Sequence, residues 1–164
     1  MSLSQEFLQS IFMYDPLTGH LTWKDRRSNM IKGSLAGCVN KVGYMVVTIN
    51  SKTYRVQRII WLWMFGSIPT NFYIDHINGN KLDNRLTNLR LATNKQNQEN
   101  RAAPKNSSSG LRGVGWHKNY GKWMARISHN NQRKTIGFFD TKEQAWQAYK
   151  AEAAKLYTHT DRLP

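Results

Sequence analysis

One stretch limits the fold more than any other: Tyr73 to Arg101, reading YIDHINGNKLDNRLTNLRLATNKQNQENR. Two short apolar runs, around Ile74 and at Leu89-Arg90-Leu91, flank a segment dense in Asn, Asp and Gly, with a turn signal at Gly79-Asn80. Thr93 followed three residues later by Gln96 is a capping box. The order predicted is strand, loop, strand, helix. Asp75 and His76 are adjacent at the end of the first strand, and Asn88 precedes the second. On the helix, Asn97, Asn100 and Arg101 share a face, because residues three and four apart are neighbours.

That arrangement has a chemical meaning. The Asp75 carboxylate suits Mg²⁺ or Mn²⁺, which prefer oxygen ligands. An amide oxygen from Asn97 can complete a sparse protein shell that leaves room for water and a phosphate. His76 has the side chain best matched to proton transfer near neutral pH. Its ring needs orienting, and Asn88 could accept its other N–H. Asn78, Asn80, Asp83, Asn84 and Asn94 read as turn and cap residues.

Asp-His, then Asn, then Asn in this order resembles the HNH endonuclease motif with its ββα-metal fold, and within it the phage and intron-homing branch. The phrases DHINGNKLDNRLTNLRLAT and QNQENR carry the likeness. The resemblance implies that Asp75 and Asn97 bind one metal ion, that His76 is the general base, and that Asn88 steadies the hairpin and the base. It also covers residues 1–70, where a hairpin precedes a helix and then the Asp-His strand. One departure stands out: that family usually carries His-Arg where this chain has Gln57-Arg58. Arg58 and Arg85 are candidate phosphate contacts, with Asn100 and Arg101. The departure leaves a rival reading, a DNA-binding regulator with a degenerate nuclease module.

Charge points the same way. The chain has 24 Lys and Arg against 10 acids, a formal net charge of +14 over 164 residues. So basic a chain suits a polyanion partner. No run is apolar enough for a signal peptide or a membrane span, the longest being Ile59 to Phe65. Cys38 is the only cysteine, so an internal disulfide is impossible and no zinc site of paired cysteines is expected. An intracellular protein, not secreted and not membrane-bound, is the expectation.

Ahead of the motif, Leu3, Phe7, Leu8, Ile11 and Phe12 fit one helical face, closed by Asp15-Pro16 and Thr18-Gly19. Short strands are predicted at Leu21–Trp23, Gly43–Ile49 and Lys52–Val56, with a turn at Asn50-Ser51, and a buried helix at Ile59–Phe65. Trp23, Trp61 and Trp63 are core candidates.

Behind it, residues 104–109 have a linker composition. Three short strands follow, at Leu111–Trp116, Trp123–Ser128 and Lys134–Phe138. A capping box at Thr141 and Gln144 then opens a helix with a stripe of Ala145, Ala148, Tyr149, Ala153 and Leu156. The phrases Arg112-Gly113-Val114, Gly121-Lys122-Trp123 and Ile136 to Thr141 resemble the plant ethylene-response-factor (APETALA-two type) DNA-binding domain, over residues 107–158. The resemblance implies a sheet laid in the major groove, with Arg112, Gly113, His117, Arg126, Arg133 and Thr135 at matching positions.

The expectation is therefore an α+β chain: an HNH ββα-metal nuclease module at 1–103 (leader 1–70, ββα motif 71–101), a linker at 104–109, and at 110–164 a small three-stranded antiparallel sheet packed on one helix. The predicted activity is metal-dependent hydrolysis of phosphodiesters in double-stranded DNA. With one Asp-His-Asn-Asn set and no heptad seam, a monomer that nicks is expected.

Overall fold

The computed structural model describes residues 3–25, 31–99, 103 and 107–158. The chain forms two compact units, Met1–Asn94 and Lys95–Pro164. It is α+β throughout, with small antiparallel sheets.

The first unit opens with helix α1 (Gln5–Ile11), capped by Ser4, whose hydroxyl accepts the Phe7 N–H at 3.2 Å. Phe12, expected on the helix, already belongs to strand β1 (Phe12–Asp15), which pairs with β2 (His20–Trp23). The stop signal at Asp15 to Gly19 is thus a hairpin turn. Asp15 accepts the Leu17 N–H at 2.9 Å and the Thr18 hydroxyl at 2.7 Å, and Gly19 sits at φ 75°. A strand of four residues is too short to show its own period, so the apolar run reads as one longer helix.

Strands β3 (Cys38–Val39), β4 (Met45–Ile49) and β5 (Lys52–Arg55) form a second sheet in that order. Asn50 and Ser51 both take positive φ at the β4–β5 turn, the twist that suits a two-residue hairpin. Helix α2 (Val56–Phe65) follows β5 at once and starts earlier than predicted; Gly66 ends it in the left-handed region. Val56, Ile59 and Ile60 of α2 pack with Leu8, Ile11, Phe12, Leu21, Trp23, Val47, Ile49 and Leu89. Trp61 and Trp63 lie at the edge of that cluster, and Phe65 is exposed, so α2 is buried on one side only. Strands β6 (Phe72–His76) and β7 (Leu89–Thr93) are joined by residues 77–88, which include a 3₁₀ turn at Leu86–Asn88. Helix α3 (Asn94–Glu99) comes next.

The second unit is a meander of β8 (Val114–His117), β9 (Lys122–His129) and β10 (Gln132–Phe139), with β9 central. Helix α4 (Lys142–Leu156) covers one face; its capping box, Thr141 with Gln144, is formed. Val114, Ala125 and Ile127 pack on Ala145, Trp146, Tyr149 and Ala153. Gly113 (φ 71°) lies where a Cβ would overlap Tyr149 and the Arg126 carbonyl, so the β8 edge reaches the helix only because this residue has no side chain.

The compact units divide ahead of the predicted linker. Among the described residues of that stretch, Ser107 and Ser109 belong to the second unit. The Ser109 hydroxyl bonds the Val114 carbonyl at 2.6 Å and is buried. Arg112 donates to the carbonyls of Gln98 and Glu99, and the Glu99 carboxylate accepts from the Thr158 N–H at 3.1 Å and hydroxyl at 3.3 Å. These bonds tie the end of α3 to the C-terminal sheet and helix.

Candidate active site

The β6–β7 ladder places Asp75 opposite Arg90 and His76 opposite Leu89. The Asp75 carboxylate pairs with the Arg90 guanidinium at 3.3 Å. His76, at 3% exposure, is buried, and its Nε2 lies 3.1 Å from the Asn84 Oδ1. An amide oxygen only accepts, so this contact puts the hydrogen on Nε2 and the imidazole lone pair on Nδ1.

Asn84 is itself pinned. Its carbonyl accepts the Tyr14 hydroxyl at 3.2 Å, and the same hydroxyl accepts the Leu86 N–H at 2.8 Å. Burial holds the Tyr14 phenol above its ordinary range, so it stays protonated and able to donate. Gly19, in the β1–β2 turn, packs so closely that a Cβ would overlap the Asn84 and Arg85 backbone. The N-terminal hairpin thus braces the residue that holds His76.

Asn88 holds the backbone of the hairpin loop and not the imidazole. Its Oδ1 accepts the Asn78 N–H at 2.9 Å and its Nδ2 donates to the Asp83 carbonyl at 2.8 Å, while its own carbonyl takes the Ile77 N–H at 2.8 Å. Both ends of the amide are committed to backbone, so Asn88 ties the loop and Asn84 takes the imidazole. Asp83 accepts a fork from Arg85, at 2.7 and 2.6 Å, and the Asn78 amide at 2.8 Å. The Arg85 fork holds the Asp83 carboxyl down to about 2. Arg85, expected to meet phosphate, has its guanidinium on Asp83. Arg58 is exposed, whereas Gln57 is buried at 2% exposure, with no partner for its Oε1 among the described residues.

Asn97 is half-buried on α3; Asn100 and Arg101 lie outside the described residues. Arg112 and Gly113 depart from expectation. Arg112 holds the last carbonyls of α3, and its guanidinium lies 5.5 Å from the Tyr157 ring centroid; Gly113 is a close-packing position. The remaining four come together. Ala125 and Ile127 face α4, so Met124, Arg126 and Ser128 face away. Thr135 pairs with Arg126 and Arg133 with Ser128, which puts all of them on the outer face; His117, opposite Lys122, joins it. His117 stacks on Tyr120 at 4.7 Å and meets the edge of Phe138 at 5.3 Å, adding aromatics to that face.

Tyr14, Gly19 and Asn84 were missed as site residues by sequence reasoning. The first two lie more than fifty positions away, and Asn84 has the composition of a turn. Among the described residues, no group of three or more His, Cys, Asp or Glu could hold a metal ion. No described helix is long and apolar enough to cross a membrane.

Residues 54–99 match the family model described as HNH endonuclease. Protein 3.8 of Escherichia phage T7 is 39% identical over 88 residues, covering 53% of this chain and 73% of that protein. An HNH endonuclease of Acanthamoeba polyphaga mimivirus is 36% identical, over 73% of this chain and 61% of its own length. YosQ of Bacillus subtilis strain 168, a prophage-derived putative HNH homing endonuclease by name, is 34% identical, over 34% of this chain and 32% of its own. The solved structure of the HNH homing endonuclease I-HmuI aligns with 22% identity and a TM-score of 0.43, over 88% of this chain and 80% of that one. With the buried histidine, its clamp and the neighbouring carboxylate on the β6–β7 hairpin inside the matched residues, this chain belongs to the HNH endonuclease family and is a DNA endonuclease.

Proposed function

We propose that the chain is a metal-dependent nicking endonuclease of the phage or homing type, with His76 as its general base. The observation that carries this is the His76–Asn84 contact. A buried imidazole whose Nε2 faces an amide oxygen keeps Nδ1 as the proton acceptor. A Mg²⁺ or Mn²⁺ ion, held by Asp75 and, on motif spacing, by Asn97, would supply positive charge at the scissile phosphate and the leaving oxygen. His76 takes the proton of the attacking water. Asn84 fixes the tautomer, and Asn88 keeps the loop from moving the ring.

The second unit grips duplex DNA through the outer face of β8–β10. Arg126 and Arg133 meet phosphate or base edges there, and Thr135 and His117 extend the contact. One catalytic set on an asymmetric chain acts on one strand at a time, as a monomer.

Supercoiled plasmid with Mg²⁺ tests the reading. Open circles should accumulate well before linear DNA, and EDTA should stop both. Linear DNA as the first product, from a protein of dimeric mass in solution, overturns nicking by a monomer; full cleavage in EDTA overturns the metal requirement.

A further inference from the structure

Beside His76 lies a cluster that the roles above do not use. The loop into β4 is tightly made. Asn40 Oδ1 accepts the N–H groups of both Val42 and Tyr44 at 3.0 Å, and the Asn40 N–H donates to the Tyr44 carbonyl at 2.9 Å. Gly43 supplies the positive φ, 84°, that the turn needs. This fixes the Tyr44 ring, whose centroid is 6.2 Å from that of His76.

Two cations close on that ring. The Arg55 guanidinium carbon is 4.1 Å from its centroid and the Lys81 ammonium 4.7 Å. Arg55 comes from the end of β5, opposite Val46, and Lys81 from the loop between β6 and β7. Lys81 Nζ is steadied by the Val42 carbonyl at 2.9 Å. Three segments distant in sequence thus bring two positive charges and one aromatic face next to the buried imidazole. Neither cation has a carboxylate partner among the described residues; the ion pairs of the first unit are Arg85 with Asp83 and Arg90 with Asp75. The ring's negative face attracts each cation. An anion reached by both would complete their neutralisation.

We propose that Tyr44, Arg55 and Lys81 form a binding site for one backbone phosphate of the DNA, adjacent to the phosphate that is cut. Arg55 offers a planar fork and Lys81 a point charge, a combination suited to two oxygens of a single phosphodiester. Tyr44 is the platform that holds both cations in place. The choice of a phosphate neighbouring the cut rests on His76 being the base.

Binding, not cleavage, reads the site. The affinity of the full chain for a duplex oligonucleotide is measured against salt in EDTA, so that the DNA stays intact. Arg55→Gln or Lys81→Gln should lower the slope of log K on log [salt] by about 0.9, the value for one phosphate contact. The double variant should lose no more than that, because the two side chains share one phosphate. Tyr44→Leu should match the double variant, while Tyr44→Phe keeps the ring and should bind like the parent. Thermal melts confirm that each variant folds, and Tyr44→Phe keeps the platform arm decisive if Tyr44→Leu does not. Scanning a neutral methylphosphonate along the oligonucleotide should find one linkage that weakens the parent and leaves the double variant unaffected. An unchanged slope in the double variant, a loss of twice the single value, or a Tyr44→Phe variant as weak as one lacking both cations overturns the proposal. Wild-type chain that fails to cut plasmid with Mg²⁺ removes the nuclease role of His76, while the salt slopes and the methylphosphonate scan still decide the phosphate site.

Discussion

The loop at 77–88 and the outer face of β8–β10 are both rich in polar side chains, and they use them in opposite ways. In the loop the side chains turn back on the chain. Asn78 caps the Asn80 N–H, Asn80 caps Leu82, Asp83 holds Arg85, Asn88 spans from Asn78 to Asp83, and Asn84 meets His76. On the outer face, Arg126, Arg133 and Thr135 point to water, with no side-chain partner among the described residues. Under the proposed function the difference separates two tasks. Chemistry needs atoms held in place before the substrate arrives, which suits a loop that uses its polar groups on itself. Gripping a polyanion needs charges that can change partner, which suits a sheet that leaves them exposed.

The sharpest way to separate the regions is to remove one group from each. His76→Ala should lower the cleavage rate by about 10²–10⁴-fold, the usual contribution of a general base, with DNA affinity nearly unchanged. Arg126→Ala should do the reverse. A His76→Ala variant that cuts at wild-type rate would take the loop out of the chemistry.

Backbone packing gives the next contrast. Gly19 and Gly121 both take a left-handed φ, 75° and 58°. A Cβ on Gly19 would overlap the backbone behind His76's clamp, whereas one on Gly121 meets nothing. Gly121→Ala should therefore cost only the conformational penalty, about 1–2 kcal/mol. Gly19→Ala should cost more than that and lower cleavage too, since Asn84 must shift. Equal melting shifts for the two would show that the N-terminal hairpin does not brace the site.

How much of this was legible depends on the distance over which each contact acts. The β6–β7–α3 order, Asp75 beside His76, the Gly66 stop and the capping box of α4 are local, and sequence spacing carries them. Tyr14 and Gly19 act on Asn84 across a chain separation that no periodicity encodes. Asn88 and Asn84 are the same residue type four positions apart, so only the fold could say which one reaches the imidazole. The boundary of the second unit was hidden for a similar reason. A small polar segment reads as linker, yet Ser109, Arg112 and Thr158 bond to fixed partners. Ending the chain at Pro104 would therefore remove Arg112 and Thr158 from the end of α3 and should loosen that helix.

On the exposed side, Arg126→Ala and Arg133→Ala should each lower the salt slope of DNA binding by about 1 and leave stability within about 0.5 kcal/mol of the parent. Titrating salt and melting the same samples checks both. A drop in melting temperature without a change in slope would make these arginines structural and erase the contrast with the loop.

Acid sharpens the loop from another side. The Asp83 carboxyl is held down to about 2, first by the Arg85 fork, against an ordinary value of 3.8. Its contribution to stability is present above the unfolded value and is lost as pH falls from about 4 towards 2. Asp83→Asn should remove that part of the acid dependence. The effect should be small, because Arg85 is half in solvent.

The smallest expected effect concerns Gln57. Its side chain is buried and its Oε1 has no partner among the described residues, so the amide oxygen has lost water without a bond there in return. Methionine has nearly the same volume and no such atom. Gln57→Met should therefore be neutral or stabilise by up to about 1 kcal/mol, because removing an unsatisfied polar group relieves its desolvation cost. Gln57→His should be neutral or raise cleavage, since Gln57 makes no bond through Oε1 that would be lost. Chemical unfolding reads the first and plasmid nicking the second. If Gln57→Met instead costs about 1–3 kcal/mol, the oxygen is bonded through ordered water, and polar bracing of the first unit extends from the β6–β7 loop into the start of α2.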